Sequence, residues 1–322
     1  MRTKMWLITA ASLVFIGCII FGGVMMVLKW DFTKLSTVKY ETNDREISEN
    51  YKNVSIITDT GDVVFVLSES SKTSVVCYEQ NNVKHSVAVK DDTLTIEVND
   101  MRKWHEHIGF NFGTPKITVY IPQGEYGTLS VRSTTGDVEI PKEFKFESID
   151  ISENTGNIKI YASASEFIRI KASTGDIHVE NASANTLELS VSTGEITVSD
   201  VTCRGDANIN VSTGKTYLTD VECGNLTSTG NTGDILLNNV IVAEKLLIKR
   251  STGDVRFDGL DAAEIFVETD TGEVEGSLLT DKVFIAQTDT GRVDVPKTVT
   301  GGRCEITTDT GDIRITVKQS LH

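Results

Sequence analysis

Proline occurs only four times in 322 residues, so little in the chain interrupts a backbone hydrogen-bond ladder. Basic residues are also scarce: 31 Lys and Arg stand against 46 Asp and Glu, a formal net charge of −15. Without a basic stripe to neutralise phosphates, a nucleic-acid partner is excluded. The L-x-x-L-x-L-x-x-N pattern is missing, which removes the leucine-rich repeat horseshoe from consideration. Long apolar runs are missing too, with one exception: Trp6 to Leu28 holds 23 uncharged residues, enough to cross a bilayer of about 30 Å as a helix.

What the sequence does have is a phrase. A small polar residue, then Thr-Gly-Asp and Ile or Val, begins at Asp59 and returns from Thr134 to the C-terminus. Its glycines are Gly136, Gly156, Gly175, Gly194, Gly214, Gly233, Gly253, Gly272, Gly291 and Gly311, a step of 19 or 20 residues. Strict apolar alternation flanks each turn, as in Leu187, Leu189 and Val191 before Gly194 and Ile196 and Val198 after it, so each repeat is two strands joined at a sharp turn. A further apolar column, Val201, Val221, Val240, Leu260 and Leu279, lies seven residues past each Gly. A meander of about twenty strands exceeds the usual limit of an open sheet, and propeller blades are about twice as long. The remaining arrangement is all-β: a parallel β-solenoid of about ten coils of 19–20 residues, roughly 45 to 50 Å long at ~4.8 Å per coil.

Five regions are expected. Residues 1–5 form a cytoplasmic tail, 6–28 a transmembrane signal anchor, 29–50 a charged juxtamembrane stalk, 51–128 an N-terminal β region capping the solenoid, and 129–318 the repeats. Arg2 and Lys4 precede the apolar run and favour a cytoplasmic N-terminus with the remainder extracytoplasmic. Phe15-Ile16-Gly17-Cys18 loosely matches a lipoprotein cleavage box, but the ten apolar residues after Cys18 favour an uncleaved anchor. In the cap, strands are predicted at Thr73–Tyr78, His85–Val89, Thr93–Val98 and Lys116–Ile121, the middle two joined tightly at Asp91-Asp92. Such a cap closes the strand edge that the first coil would otherwise expose.

Several motifs suggest chemistry. Asp-Thr-Gly at Asp59, Asp270, Asp289 and Asp309 is the aspartic-protease triplet, but sister repeats put Ser, Asn or Thr in the same slot, so the slot is a turn position. The acidic column after each Gly (Asp176, Glu195, Asp234, Asp254, Glu273, Asp312) is interrupted by Lys215 and Arg292 and reads as a solvated edge, not a calcium ladder. His85, His105 and His107 read as surface histidines, with no cysteine or carboxylate beside them to complete a metal site. The aromatic stretch Trp104, Ile108, Phe110, Phe112 is expected to plug the solenoid base. Cys203 and Cys223 fall at equivalent positions in adjacent coils and are expected as buried, reduced thiols. No catalytic residue, metal or cofactor is predicted. The outward positions Lys159, His178, Thr197, Tyr217, Leu236, Arg256 and Glu275 do not converge on a catalytic pair.

The repeat, the WHEHIGFNFGTPKITVYIP stretch before it and the single N-terminal apolar helix together resemble a bacterial domain family of unknown function that goes under the name "putative adhesin". The resemblance covers roughly Ile47 to Val317. It implies a β-solenoid displayed at the bacterial envelope, with some relatives associated with envelope-stress loci, and it supplies no catalytic residues. The function expected is therefore a non-catalytic binding or scaffold module anchored in the cell membrane, with a protein or glycan partner. An envelope-stress accessory protein contacting a membrane partner is the alternative, and a polysaccharide-active enzyme a further one. The expected contact surface is a stripe. Six residues before each Gly the column is polar except at Leu247, Phe266 and Ile285, three consecutive coils, and contiguous exposed apolar surface marks a contact site.

Overall fold

The computed structural model describes residues 2–31, 34, 38–102 and 113–318. After helix α1 (Arg2–Val27) the long elements among the described residues are all strands, and the repeats form the expected parallel solenoid. Strands before each Thr-Gly turn stack in one ladder, and strands after it stack in a second. Their inward side chains merge into one continuous core running from Ile47 to Ile315.

The turn is specified twice over. Every repeat glycine has positive φ, 147° at Gly194, where a side chain would be strained. A Cβ at Gly194 would also lie 2.0 Å from the carbonyl oxygen of Gly175 one coil below. Gly194 N–H in turn donates to Thr213 O at 3.0 Å, so the coils are in backbone contact at the turn. The residue after Gly is exposed at Asp137, Asn157, Asp176 and Glu195, as a solvated edge requires, and it also carries a side-chain ladder. Asp137 Oδ1 accepts from Asn157 N at 2.8 Å, Asn157 Oδ1 from Asp176 N at 3.0 Å, and Asp176 Oδ1 from Glu195 N at 2.9 Å. Asp and Asn have the length to reach the next backbone N–H. On the far side of each repeat, Asn181, Asp200, Asp220, Asn239 and Gly259 take left-handed φ of 51–68°, which turns the chain into the return.

Among the described residues the cap and the first repeat it meets comprise β1 (Tyr40–Ile47), β2 (Asn53–Thr60), β3 (Asp62–Leu67), β4 (Thr73–Gln80), β5 (Val83–Lys90), β6 (Thr93–Asp100) and β7 (Lys116–Ile121), followed by β8 (Glu125–Thr135) and β9 (Val138–Ile140) on either side of Gly136. β2 and β3 with Gly61 are already a solenoid coil, since β2 stacks parallel on β8 and β3 on β9. β6 and β7 lie parallel on the other side of β2 and β3. Antiparallel strands then end both ladders: β5 on β6, and β4 on β7 with β1 on β4. The stalk expectation is thus corrected over Tyr40–Ile47, which is a strand of the cap. Trp104 to Phe112, including His105 and His107, lie outside the described residues. Among those described, the apolar plug at this end is Phe65, Phe144 and Phe146, with centroids 6.3 and 6.5 Å from Phe65.

The opposite end departs from sequential stacking. The strand Ala263 precedes, through Thr271, pairs with Gly302–Thr310, and only then does Gly302–Thr310 pair with Lys282–Thr290. The second ladder agrees, with Val274–Leu278 on Ile313–Val317 and Val293–Asp294 outside. The last repeat of the chain is therefore inserted beneath the one before it. The inner slot takes the better-filled repeat: Cys304, Ile306 and Ile313 are fully buried, whereas its rival offers Phe284, Ala286, Thr288 and Val293. Gly301 and Gly302 let the chain thread in, for Cβ atoms there would lie 1.8 Å from Asp281 O and Ala263 O. The apolar column also shifts by one residue before this end, pairing Leu260 with Leu278 and leaving Leu279 exposed.

Candidate functional site: the open end

Insertion of the last repeat decides the fate of the predicted stripe. Leu247 and Phe266 are cross-strand neighbours, as expected. Phe266, however, pairs with Glu305, and Glu305 with Ile285, so a carboxylate stands between the second and third members. Phe266 is half-buried, with Lys245 Nζ 4.5 Å and Arg303 Cζ 5.4 Å from its ring centroid. The continuous three-residue stripe is corrected to a two-residue patch under two cations, with Ile285 assigned elsewhere.

Ile285 belongs to the terminal coil. Among the described residues the strand Lys282–Thr290 is hydrogen-bonded along one edge only, to Gly302–Thr310, and Val293–Asp294 only to Ile313–Val317. Phe284 and Ala286 point toward the core, yet with no coil above them they are half-buried where Cys304 and Ile306 are fully buried. Ile285 is 48 % exposed, Val293 43 % and Val299 89 %. Charge changes here as well. Residues 282–300 carry Lys282, Arg292 and Lys297 against Asp289 and Asp294, net +1, whereas residues 262–279 carry five carboxylates and no base, net −5. Lys282 itself is buried and fastens the coil, its Nζ 2.8 Å from Asp261 Oδ1. The end thus presents an unpaired strand edge, apolar side chains and little net charge, which is what a strand-adding partner recognises.

The remaining features are structural in character. Asp59, Asp270, Asp289 and Asp309 are exposed turn residues in separate coils and share no cleft. A groove of about 560 Å³ along the returns of the first coils is lined by Lys52, Tyr126, Lys145, Phe146, Glu147 and Arg204 among others, but Glu147 is taken up by Lys52 at 2.8 Å. His178 pairs with Glu180 at 2.9 Å, and Arg256 lies 4.0 Å from Glu275. Cys203 and Cys223 are buried free thiols, and burial pushes Cys223 up to about 12. Among the described residues one interior cation pairs with no carboxylate: Arg250, 3 % exposed, crosses over Gly230 to donate to Val211 O and Thr216 Oγ1, both at 2.9 Å. Its signal in the sequence was a Thr, a Gly and an Arg in three otherwise regular columns. Burial lowers this guanidinium to about 10.

His85 is a correction. Its side chain is 2 % exposed, with Nδ1 2.8 Å from Glu79 Oε2, and Cys77 and Glu79 of β4 complete a tight cluster around it. Sequence reasoning missed it because β5 belongs to one ladder and β4 to the other.

Comparison with known family models agrees with this architecture. The Toastrack DUF4097 family model matches residues 51–214 and 204–322. Similar solved structures include a "putative adhesin" from Bacteroides fragilis (15 % identity, TM-score 0.40, covering 87 % of this chain and 97 % of that one). A "putative adhesin" from Parabacteroides distasonis is 12 % identical, with TM-score 0.49 and coverage of 86 % and 98 %. A "putative lipid binding protein" from the same species is 16 % identical, with TM-score 0.46 and coverage of 88 % and 98 %. No curated protein matches.

Proposed function

Because the chain belongs to the Toastrack DUF4097 family, we propose that it is a membrane-anchored, extracytoplasmic, non-catalytic binding module that holds a partner protein at its open C-terminal end. The observation that carries this reading is the half-open core of the terminal coil, with Phe284, Ala286 and Ile285 beside a one-sided strand. Natural sheets protect such edges, and an edge left apolar and unpaired is a template for strand addition. The anchor rests on the segment Met5–Val27, which has a mean hydropathy of 2.4 and is almost wholly exposed. The basic residues before it favour an outward-facing solenoid. The non-catalytic part is supported by the carboxylates, which among the described residues are spread over separate coils and in several cases ion-paired, as Glu147 is by Lys52 and Glu188 by Arg169.

The test uses the full chain in detergent, tagged at its N-terminus, against envelope extract of the producing cells, with Ile285→Lys/Val293→Lys as the comparison. Both positions are exposed, so the double variant keeps its circular dichroism spectrum and melting temperature. Capture of a defined partner is expected to fall at least tenfold. Equal capture by the variant, or no specific partner with either protein, overturns the reading. Recovery of one membrane protein assigns the envelope-stress role, and recovery of glycan in place of protein refutes strand addition.

A further inference from the structure

The cap contains a preformed donor set that the binding reading leaves unused. Alternation along β4 turns Cys77 and Glu79 to the same side, and β5 brings His85 over them from the other ladder. Cys77 and Glu79 are each 2 % exposed. One ligand atom from each of the three residues lies within 4.8 Å of the others.

The atoms facing away from that point are already held. His85 Nε2 is 3.0 Å from Thr58 Oγ1, which orients the ring with Nδ1 turned toward the cluster. Glu79 Oε1 accepts from Asn43 Nδ2 at 2.7 Å, with Lys84 Nζ 3.7 Å away, so Oε2 is the oxygen turned inward. His85 N–H also donates to Oε2 at 2.7 Å. Metal-ligating imidazoles and carboxylates are typically fixed in this manner, through the atom that does not touch the metal. A histidine–glutamate hydrogen bond alone would need no thiol beside it.

We propose that Cys77 Sγ, Glu79 Oε2 and His85 Nδ1 bind a zinc-class divalent cation. The donor set selects the class: one sulfur, one nitrogen and one oxygen suit tetrahedral Zn²⁺, while calcium and magnesium take oxygen donors. On binding, the Nδ1–Oε2 hydrogen bond opens, the imidazole takes the tautomer with its proton on Nε2, which then donates to Thr58 Oγ1, Nδ1 and Oε2 turn to the cation, and the Cys77 thiol releases its proton to solvent. Three protein ligands leave one position for water. A cavity of about 30 Å³ lined by Asp59, Glu79, His85 and Arg102 adjoins the cluster, and that is room for one water molecule. Asn43 lies on β1, so the ion would tie the strand that follows the anchor to β4, β5 and, through Thr58, the first solenoid coil. The cation is thus assigned to fastening the cap.

The experiment is a Co²⁺ titration of the chelator-treated full chain in detergent. Saturation at one equivalent is expected, with a near-ultraviolet thiolate-to-cobalt band and visible d–d bands that Zn²⁺ abolishes. Zn²⁺ should also raise the melting temperature of the wild type. Cys77→Ser is expected to lose the thiolate band, and His85→Gln to weaken Co²⁺ binding at least tenfold. Persistence of the band in Cys77→Ser would assign it to another thiol and overturn the site. Absence of any band in the wild type, together with no zinc by elemental analysis of protein purified without chelator, would overturn it without reference to the variants.

Discussion

The two ends of the solenoid solve the same problem in different ways. At the N-terminal end the ladders close with antiparallel β5 and β1, and these edge strands are charged: Lys84 and Lys90 on the first, Glu41, Asp44, Arg45 and Glu46 on the second. Charged edge strands discourage further pairing. At the C-terminal end the outermost strand reads KVFIAQTDT, with Val283 and Ile285 exposed and the core beneath it half-open. A solenoid that needed only to be soluble would be capped at both ends. In the proposed function, the open end is the one at which a partner completes the structure.

The sharpest way to break this comparison is to test the coil order. Glu268 and Thr307 are register partners, whereas Gln287 stands one rung beyond Thr307. Glu268→Cys/Thr307→Cys is expected to form a disulfide under mild oxidation. Glu268→Cys/Gln287→Cys, about 9.6 Å apart at two rungs, lies outside disulfide reach. Mass spectrometry of non-reduced peptides reads the difference, and the reverse result would restore sequential stacking and with it the Leu247, Phe266, Ile285 stripe.

A second contrast compares turns. Gly194→Val places a Cβ about 2 Å from a carbonyl fixed by coils on both sides and forces positive φ on a β-branched residue. The expected loss is about 3 kcal/mol or more. Gly291→Val meets Gly311 O just as closely, but its coil has a neighbour on one side only and can lift away. Its denaturation midpoint in urea should move less than half as far. Equal shifts would mean that the terminal coil is as constrained as an interior one.

Truncating side chains sharpens the same point. Ile306→Ala, in the fully buried inserted repeat, should cost about 2–5 kcal/mol. Phe284→Ala removes a larger side chain but from a half-buried site, and should cost less. Chemical denaturation of the two variants checks the order, and a larger loss at Phe284 would place its coil inside.

The turns, the inward columns and the count of coils were legible because each column repeats one steric requirement every 19 or 20 residues. The insertion of the last repeat was not, since TDTGRVDV and TDTGDIRI satisfy the same pattern, and that pattern does not rank the two slots. Its trace is the Gly301-Gly302 pair, and columns read in chain order misplace Ile285 for that reason. The left-handed column from Asn181 to Gly259 was visible as Asn, Asp or Gly six residues past each turn. The cluster at His85 could not be seen, for its residues belong to strands that are not paired with each other.

The smallest expected effect concerns one column followed from end to end. Three residues before each turn glycine the side chain points inward, and near the open end the column holds threonines that hydrogen-bond across coils: Thr288 Oγ1 donates to Gly311 O at 3.0 Å and Thr308 Oγ1 to Gly272 O at 3.1 Å. Near the cap the same column holds Glu153, 2 % exposed, whose Oε2 finds no hydrogen-bond partner. Burial raises the Glu153 carboxyl above its ordinary value. A carboxyl raised on folding favours the folded state only while it is protonated. Below the ordinary value near 4.5 both states carry the proton and no penalty exists; as pH rises through the folded value the charge must be buried, and stability falls. Glu153→Gln removes that penalty while keeping the shape. It is expected to stabilise the protein by about 1 kcal/mol at pH 7 and by nothing measurable at pH 4. Melting temperatures of the two proteins across this range check it; a gain of the same size at both pH values would trace the effect to packing, and a loss at pH 7 would show that the carboxylate is held by contacts stronger than its burial.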